Sequence, residues 1–130
     1  MVVVVGAVVS VIAGLITWLV LRRGAERHPL LRRLIENTAR PYLESGFHHW
    51  EFVRSKLRWD PVFVHLAASG VLPDAGRLVD LGCGRGILLS LVRATSEAAR
   101  DDQLPPGWPT RPEPPLLHGV DASRSAVAVA

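Results

Sequence analysis

Residues 77–86, Arg-Leu-Val-Asp-Leu-Gly-Cys-Gly-Arg-Gly, constrain this chain more than any other stretch. A short apolar run, Leu78, Val79 and Leu81, is broken by one acid, Asp80, and glycines follow at alternate positions, Gly82, Gly84 and Gly86. The next segment, Ile87 to Arg100, is apolar and compatible with a helix. Strand, glycine turn and helix in that order present a nucleotide-like ligand at the carboxyl end of a strand. Glycines suit the turn because the chain must pass through positive φ and a ligand must approach backbone without meeting a Cβ. The spacing is G-x-G-x-G, not the dinucleotide fingerprint G-x-G-x-x-G, and an acid stands two residues before the first glycine. A pyrophosphate cradle relies on N–H donors at a helix terminus. Asp80 would repel a diphosphate and favour a cation.

A second apolar run, Leu116-Leu117-His118-Gly119-Val120, also ends in an acid, Asp121. Taken together, these residues resemble class I S-adenosylmethionine-dependent methyltransferases. Asp80-Leu81-Gly82-Cys83-Gly84-Arg85-Gly86 matches the family's D-h-G-x-G-x-G motif at each defining position. The resemblance implies an α/β fold, a Rossmann-like doubly wound sheet, with S-adenosyl-L-methionine as cofactor and methyl transfer to an unidentified, small or lipid-like acceptor. It also implies that Gly82, Gly84 and Gly86 admit the amino-acid and ribose parts of the cofactor and that Cys83 is a small residue in the turn. Asp80 would support the cofactor's ammonium and Asp121 would accept hydrogen bonds from the ribose hydroxyls. A carboxylate suits that last task because it only accepts and can take two donors. The residues themselves leave a second role open for Asp121, as N-cap of the following segment.

One spacing departs from the pattern. Asp121 lies 39 residues after Gly82, against roughly 20 in such units. The excess falls in residues 104–115, which hold six of the ten prolines and read as an inserted loop. Two parallel strands cannot cover their own faces and edges. Residues 77–130 therefore read as the start of a methyltransferase domain, and the chain as the N-terminal part of a longer protein.

Residues 1–21 carry no charge and are almost continuously apolar, long enough as a helix to cross a bilayer core of roughly 30 Å. Trp18 stands near the end of the run, and Arg22, Arg23 and Arg27 follow it. The expectation is a single-pass membrane anchor with everything from Arg22 onward in the cytoplasm. Residues 22–76 form a basic, helical juxtamembrane segment. Nine Arg/Lys and four Glu fall between residues 22 and 58, and this alternation reads as a solvated helix face, against nucleic-acid binding. Pro29 opens a first helix over Leu30, Leu31, Leu34 and Ile35, interrupted at Pro41; a second runs from Phe47 to Leu57. Asp60-Pro61 caps a third. The cluster Phe47-His48-His49-Trp50, with Arg54 and Lys56, is expected to form part of a lid over the cofactor.

Adjacent His48 and His49 cannot face one way on a helix, and His28, His65 and His118 are scattered, so no metal site is expected. The single Cys83 excludes an internal disulfide. No residue is assigned a catalytic role, and oligomeric state is not readable. Two rival functions are a nicotinamide-dependent reductase, disfavoured by Asp80 and the glycine spacing, and a non-catalytic membrane-tethered binding module.

Overall fold

A computed structural model describes residues 28–130. Its first helix, α1 (Pro29–Ala39), begins with proline at its first position, where no intrahelical N–H is needed. Leu31, Leu34, Ile35 and Thr38 fall at helical spacing and are buried. The expected interruption at Pro41 is a single 3₁₀ turn, Arg40–Leu43, which buries Tyr42. Gly46, at φ 120°, then reverses the chain into α2 (Phe47–Trp59), whose inward side chains are Val53 and Leu57. Asp60 ends that helix and caps the next, α3 (Pro61–Ala68), by accepting the Val62 N–H at 3.1 Å.

Strand β1 (Arg77–Leu81), helix α4 (Ile87–Arg100), strand β2 (Leu116–Val120) and the short α5 (Arg124–Val127) complete the order. The strands pair in parallel, with Arg77 beside Leu116, Asp80 beside Gly119 and Leu81 beside Val120. The proline-rich loop before β2 is pinned by Arg111. Its buried guanidinium donates from Nε to Asp74 Oδ1 at 2.7 Å and from Nη1 to the Ala67 carbonyl at 3.4 Å.

The hydrophobic core lies between helices. Leu31, Leu34 and Ile35 of α1 meet Val53 and Leu57 of α2, Ala67 of α3, and Ile87, Leu91 and Ala94 of α4, with Tyr42 among them. Neither strand contributes a residue to this cluster. The strands follow period two: Leu78, Asp80 and Leu117 are half-buried, whereas Val79, Leu81, Leu116 and Val120 on the other face are exposed.

These features correct two expectations. The described residues form a small helix-rich domain with a two-stranded parallel sheet, not a doubly wound Rossmann-like sheet. The local strand–turn–helix is present, but the apolar stripes of the helices pack on one another, so the sheet is an appendage and not the centre of the fold. The single-pass membrane assignment, with its cytoplasmic orientation, is not supported. Among the described residues no helix is long and apolar enough to cross a membrane, and the expected anchor, residues 1–21, lies outside the described residues.

A core built from helices makes a contrast testable by urea unfolding. Leu34→Ala or Leu91→Ala is expected to cost about 2–5 kcal/mol. Val79→Ala, on the exposed sheet face, should cost about 1 kcal/mol or less. Similar losses at all three positions would place the sheet in the core.

Candidate functional site

The turn after β1 is held in a conformation that only glycine adopts readily. Gly82, Gly84 and Gly86 have φ of 80°, 54° and 71°. Its N–H groups point inward to the protein: those of Gly82 and Cys83 go to the Val120 carbonyl at 2.7 and 3.2 Å, and that of Gly86 to the Cys83 carbonyl at 2.8 Å. The Gly84 N–H goes to Asp121 Oδ2 at 2.8 Å. The other carboxylate oxygen of Asp121 accepts the Ser123 N–H at 2.7 Å. These backbone donors, Ser123 first and Gly84 second, hold the Asp121 carboxyl below the usual carboxylate range. Asp121 thus ties the turn after β1 to the chain after β2. The N-cap of α5 is Ser123, whose Oγ accepts the Ala126 N–H at 3.3 Å.

A cleft of about 390 Å³ opens beside this turn, walled by Asp80, Gly82, Cys83, Gly84, Arg85, Ile87, Leu88 and Ala126, with Phe52 and Phe63 from α2 and α3. A Cβ built on Gly82 or Gly84 would meet no atom within 4 Å, so the space beside both is open. Gly86 differs, because a Cβ there would lie 2.9 Å from that of Ala130. A larger groove of about 640 Å³ lies on the far side of α4, reaching Tyr42, Arg93 and Ala130. Its walls hold Gly86 and Leu117 of the sequence motifs but not Asp80, Gly82, Cys83 or Gly84, which line the smaller cleft, so the smaller cleft is the candidate site.

Of the residues singled out in the sequence, Asp80, Gly82, Cys83 and Gly84 share the cleft; Gly86 starts α4 behind it, and Asp121 braces the turn without lining the cleft. The expected lid is displaced. Arg54 is bound to Glu36 at 2.6 Å and to Glu51 at 3.2 Å, and Lys56 to Asp60 at 2.7 Å. Phe52 and Phe63, not residues 47–50, face the turn. Sequence reasoning also missed Tyr42, whose hydroxyl donates to the Arg85 carbonyl at 2.6 Å and fastens the turn to the helical core. Burial pushes that hydroxyl up to about 12, so it stays protonated and able to donate. Its signal was an aromatic residue directly after Pro41, which resembles any core residue. Burial, with the carboxylates of Asp80 and Asp121, raises the Cys83 thiol and keeps it from acting as a thiolate. Among the described residues no group of three His, Cys, Asp or Glu is placed to hold a metal ion.

No protein-family model matches this chain, and neither does any curated protein or solved structure.

Because the folded-state pKa of Asp121 is lowered, its contribution to stability is complete above the ordinary carboxylate pKa and disappears as pH falls through the lower folded value. Asp121→Ala should therefore lower the urea midpoint at pH 7 and leave it nearly unchanged near pH 2. An equal loss at both pH values would show that the carboxylate's charge is irrelevant. Gly119 supplies a second check, because a Cβ there would stand 2.7 Å from Cys83 Sγ and 3.0 Å from Leu89 Cδ1. Gly119→Ala should cost about 1–3 kcal/mol by overpacking, and part of that loss should return in the double variant with Cys83→Ala. Strict additivity of the two substitutions would remove this account.

Proposed function

We propose that the chain binds S-adenosyl-L-methionine in the glycine-turn cleft and serves methyl transfer to an acceptor. The observation that carries this reading is the pairing of an acid with a donor-poor turn. Asp80 stands in the wall of the cleft, while the N–H groups of Gly82, Cys83, Gly84 and Gly86 are already engaged by Val120, Asp121 and Cys83. A pyrophosphate needs those donors. A ligand bearing an ammonium and a sulfonium needs a carboxylate beside apolar walls, and Asp80, Ile87 and Ala126 supply them. The same point weighs against the nicotinamide-dependent reductase.

The residues fit the cofactor in a second way. The open space beside Gly82 and Gly84 admits a ligand against the backbone, whereas any side chain there would occupy it. When bound, the cofactor supplies a methyl group already activated on a sulfonium. The contribution of this chain is then alignment and exclusion of water. Asp80 holds positive charge at one end of the cleft, Ile87 and Leu88 keep the wall apolar, and Asp121 and Tyr42 keep the turn from relaxing. Asp121, outside the cleft walls, acts through the turn it braces and not by touching the ligand.

Calorimetric titration of the full chain with S-adenosylhomocysteine and with NADH tests the reading. The homocysteine derivative is expected to bind and NADH is not, and Asp80→Asn should weaken the former about tenfold, the cost of losing a charged hydrogen-bond acceptor. Binding of NADH alone, or indifference to Asp80→Asn, would overturn the proposal.

A further inference from the structure

Besides its acid, the cleft holds a guanidinium that is ion-paired with no acid among the described residues. Among the described residues, Arg85 is the only basic one in its walls. The side chain is half-buried, and its Cζ lies 4.2 Å from the centroid of the Phe52 ring. Among the described residues no ion pair joins Arg85 to any carboxylate, although Arg54, Lys56, Arg93 and Arg111 each have an acidic partner. Stacking on Phe52 orients the planar fork and leaves its N–H donors for a ligand. An oriented guanidinium beside apolar walls is suited to bidentate binding of an oxyanion.

Among the described residues, the other titratable groups in the walls are Asp80 and Cys83, and no histidine lines the cleft. An acceptor that had to lose a proton in the site would require a base tuned to take it. An acceptor that arrives ionised requires none. Asp80 and Arg85 are not ion-paired with each other, so the cleft presents two charges of opposite sign to its contents.

We infer that Arg85 determines acceptor specificity: the cleft selects a methyl acceptor with an aromatic or apolar body and an ionised oxyanion group such as a carboxylate. The body lies against Phe63 and Leu88, and the oxyanion meets the guanidinium that Phe52 orients. This inference rests on the methyl-transfer reading above and names its acceptor class. The substitution Arg85→Gln leaves the hydrogen bond from Tyr42 available, because that bond ends on the backbone carbonyl.

The test is an NMR titration of the full, ¹⁵N-labelled chain with 2-naphthoate, neutral 2-naphthalenemethanol and cationic 2-naphthylmethylammonium. Naphthoate is expected to shift the Gly84, Arg85 and Leu88 resonances and to bind about tenfold more tightly than the alcohol. Arg85→Gln should abolish that difference. Arg85→Met, which keeps an apolar stem against Phe52, should do the same and guards against a folding defect in one variant. Equal affinity for the three probes, tighter binding of the cation, or a naphthoate preference that survives both substitutions would overturn the inference. Titration of the same samples with S-adenosylhomocysteine separates the two readings. Its failure to bind, with the Arg85-dependent preference intact, would remove methyl transfer and leave an anion-binding cleft. Its binding without that preference would remove the acceptor class alone.

Discussion

One carboxylate sets the geometry on which the cleft depends. Asp121 receives the Gly84 N–H on one oxygen and the Ser123 N–H on the other, so the turn after β1 and the turn after β2 are held as one unit. A larger parallel sheet would fix the position of such a turn through packing on both faces. Among the described residues the sheet has two strands and supplies nothing to the core cluster, so hydrogen bonds do this work. Asp121 shares the work with the Val120 carbonyl, which takes the N–H groups of Gly82 and Cys83. The consequence for chemistry is direct. With the N–H groups of Gly82, Cys83, Gly84 and Gly86 already bound, the turn offers a ligand its Cα surface beside the Asp80 carboxylate.

The helical core reaches the same turn from the other side. Tyr42 is buried in the core cluster, and its hydroxyl donates to the Arg85 carbonyl. Phe52 and Phe63 sit on the helices that carry the core residues Val53, Leu57 and Ala67, and Phe63 itself packs against that core. A further tie comes from Ser90, which donates from Oγ to the Thr38 carbonyl at 2.9 Å, joining the start of α4 to the end of α1. Shape at the cleft is therefore a property of helix packing, although the motif that signals it lies in a strand and a turn.

The limits of sequence reading follow from the same division. Helix α4 was legible because Ile87, Leu91 and Ala94 recur at helical spacing directly after a glycine. Both strands were legible as short apolar runs, and the prolines of residues 104–115 announced a loop. All of these signals are local. The extent of the sheet was not, because a glycine motif specifies the strand beside it and says nothing about how many others join. Nor was the cleft wall readable: periodicity gives α2 an inner and an outer face, but it does not say that Phe52 meets Arg85, 33 residues away along the chain. The Arg111–Asp74 pair is a similar case. Its residues lie 37 positions apart, and neither belongs to a pattern.

The uncovered face of the sheet separates two properties that are joined in most small domains. Val79, Leu81, Leu116 and Val120 form an apolar patch, bordered by strand edges with no strand partner among the described residues. Such a surface governs colloidal behaviour, since it is where one molecule can adhere to another. Conformational stability resides elsewhere, in the contacts among α1, α2, α3 and α4. Raising the melting temperature by improving the helices would leave the tendency to precipitate unchanged. Placing a lysine on the sheet face would do the reverse, improving solubility while barely altering the free energy of folding.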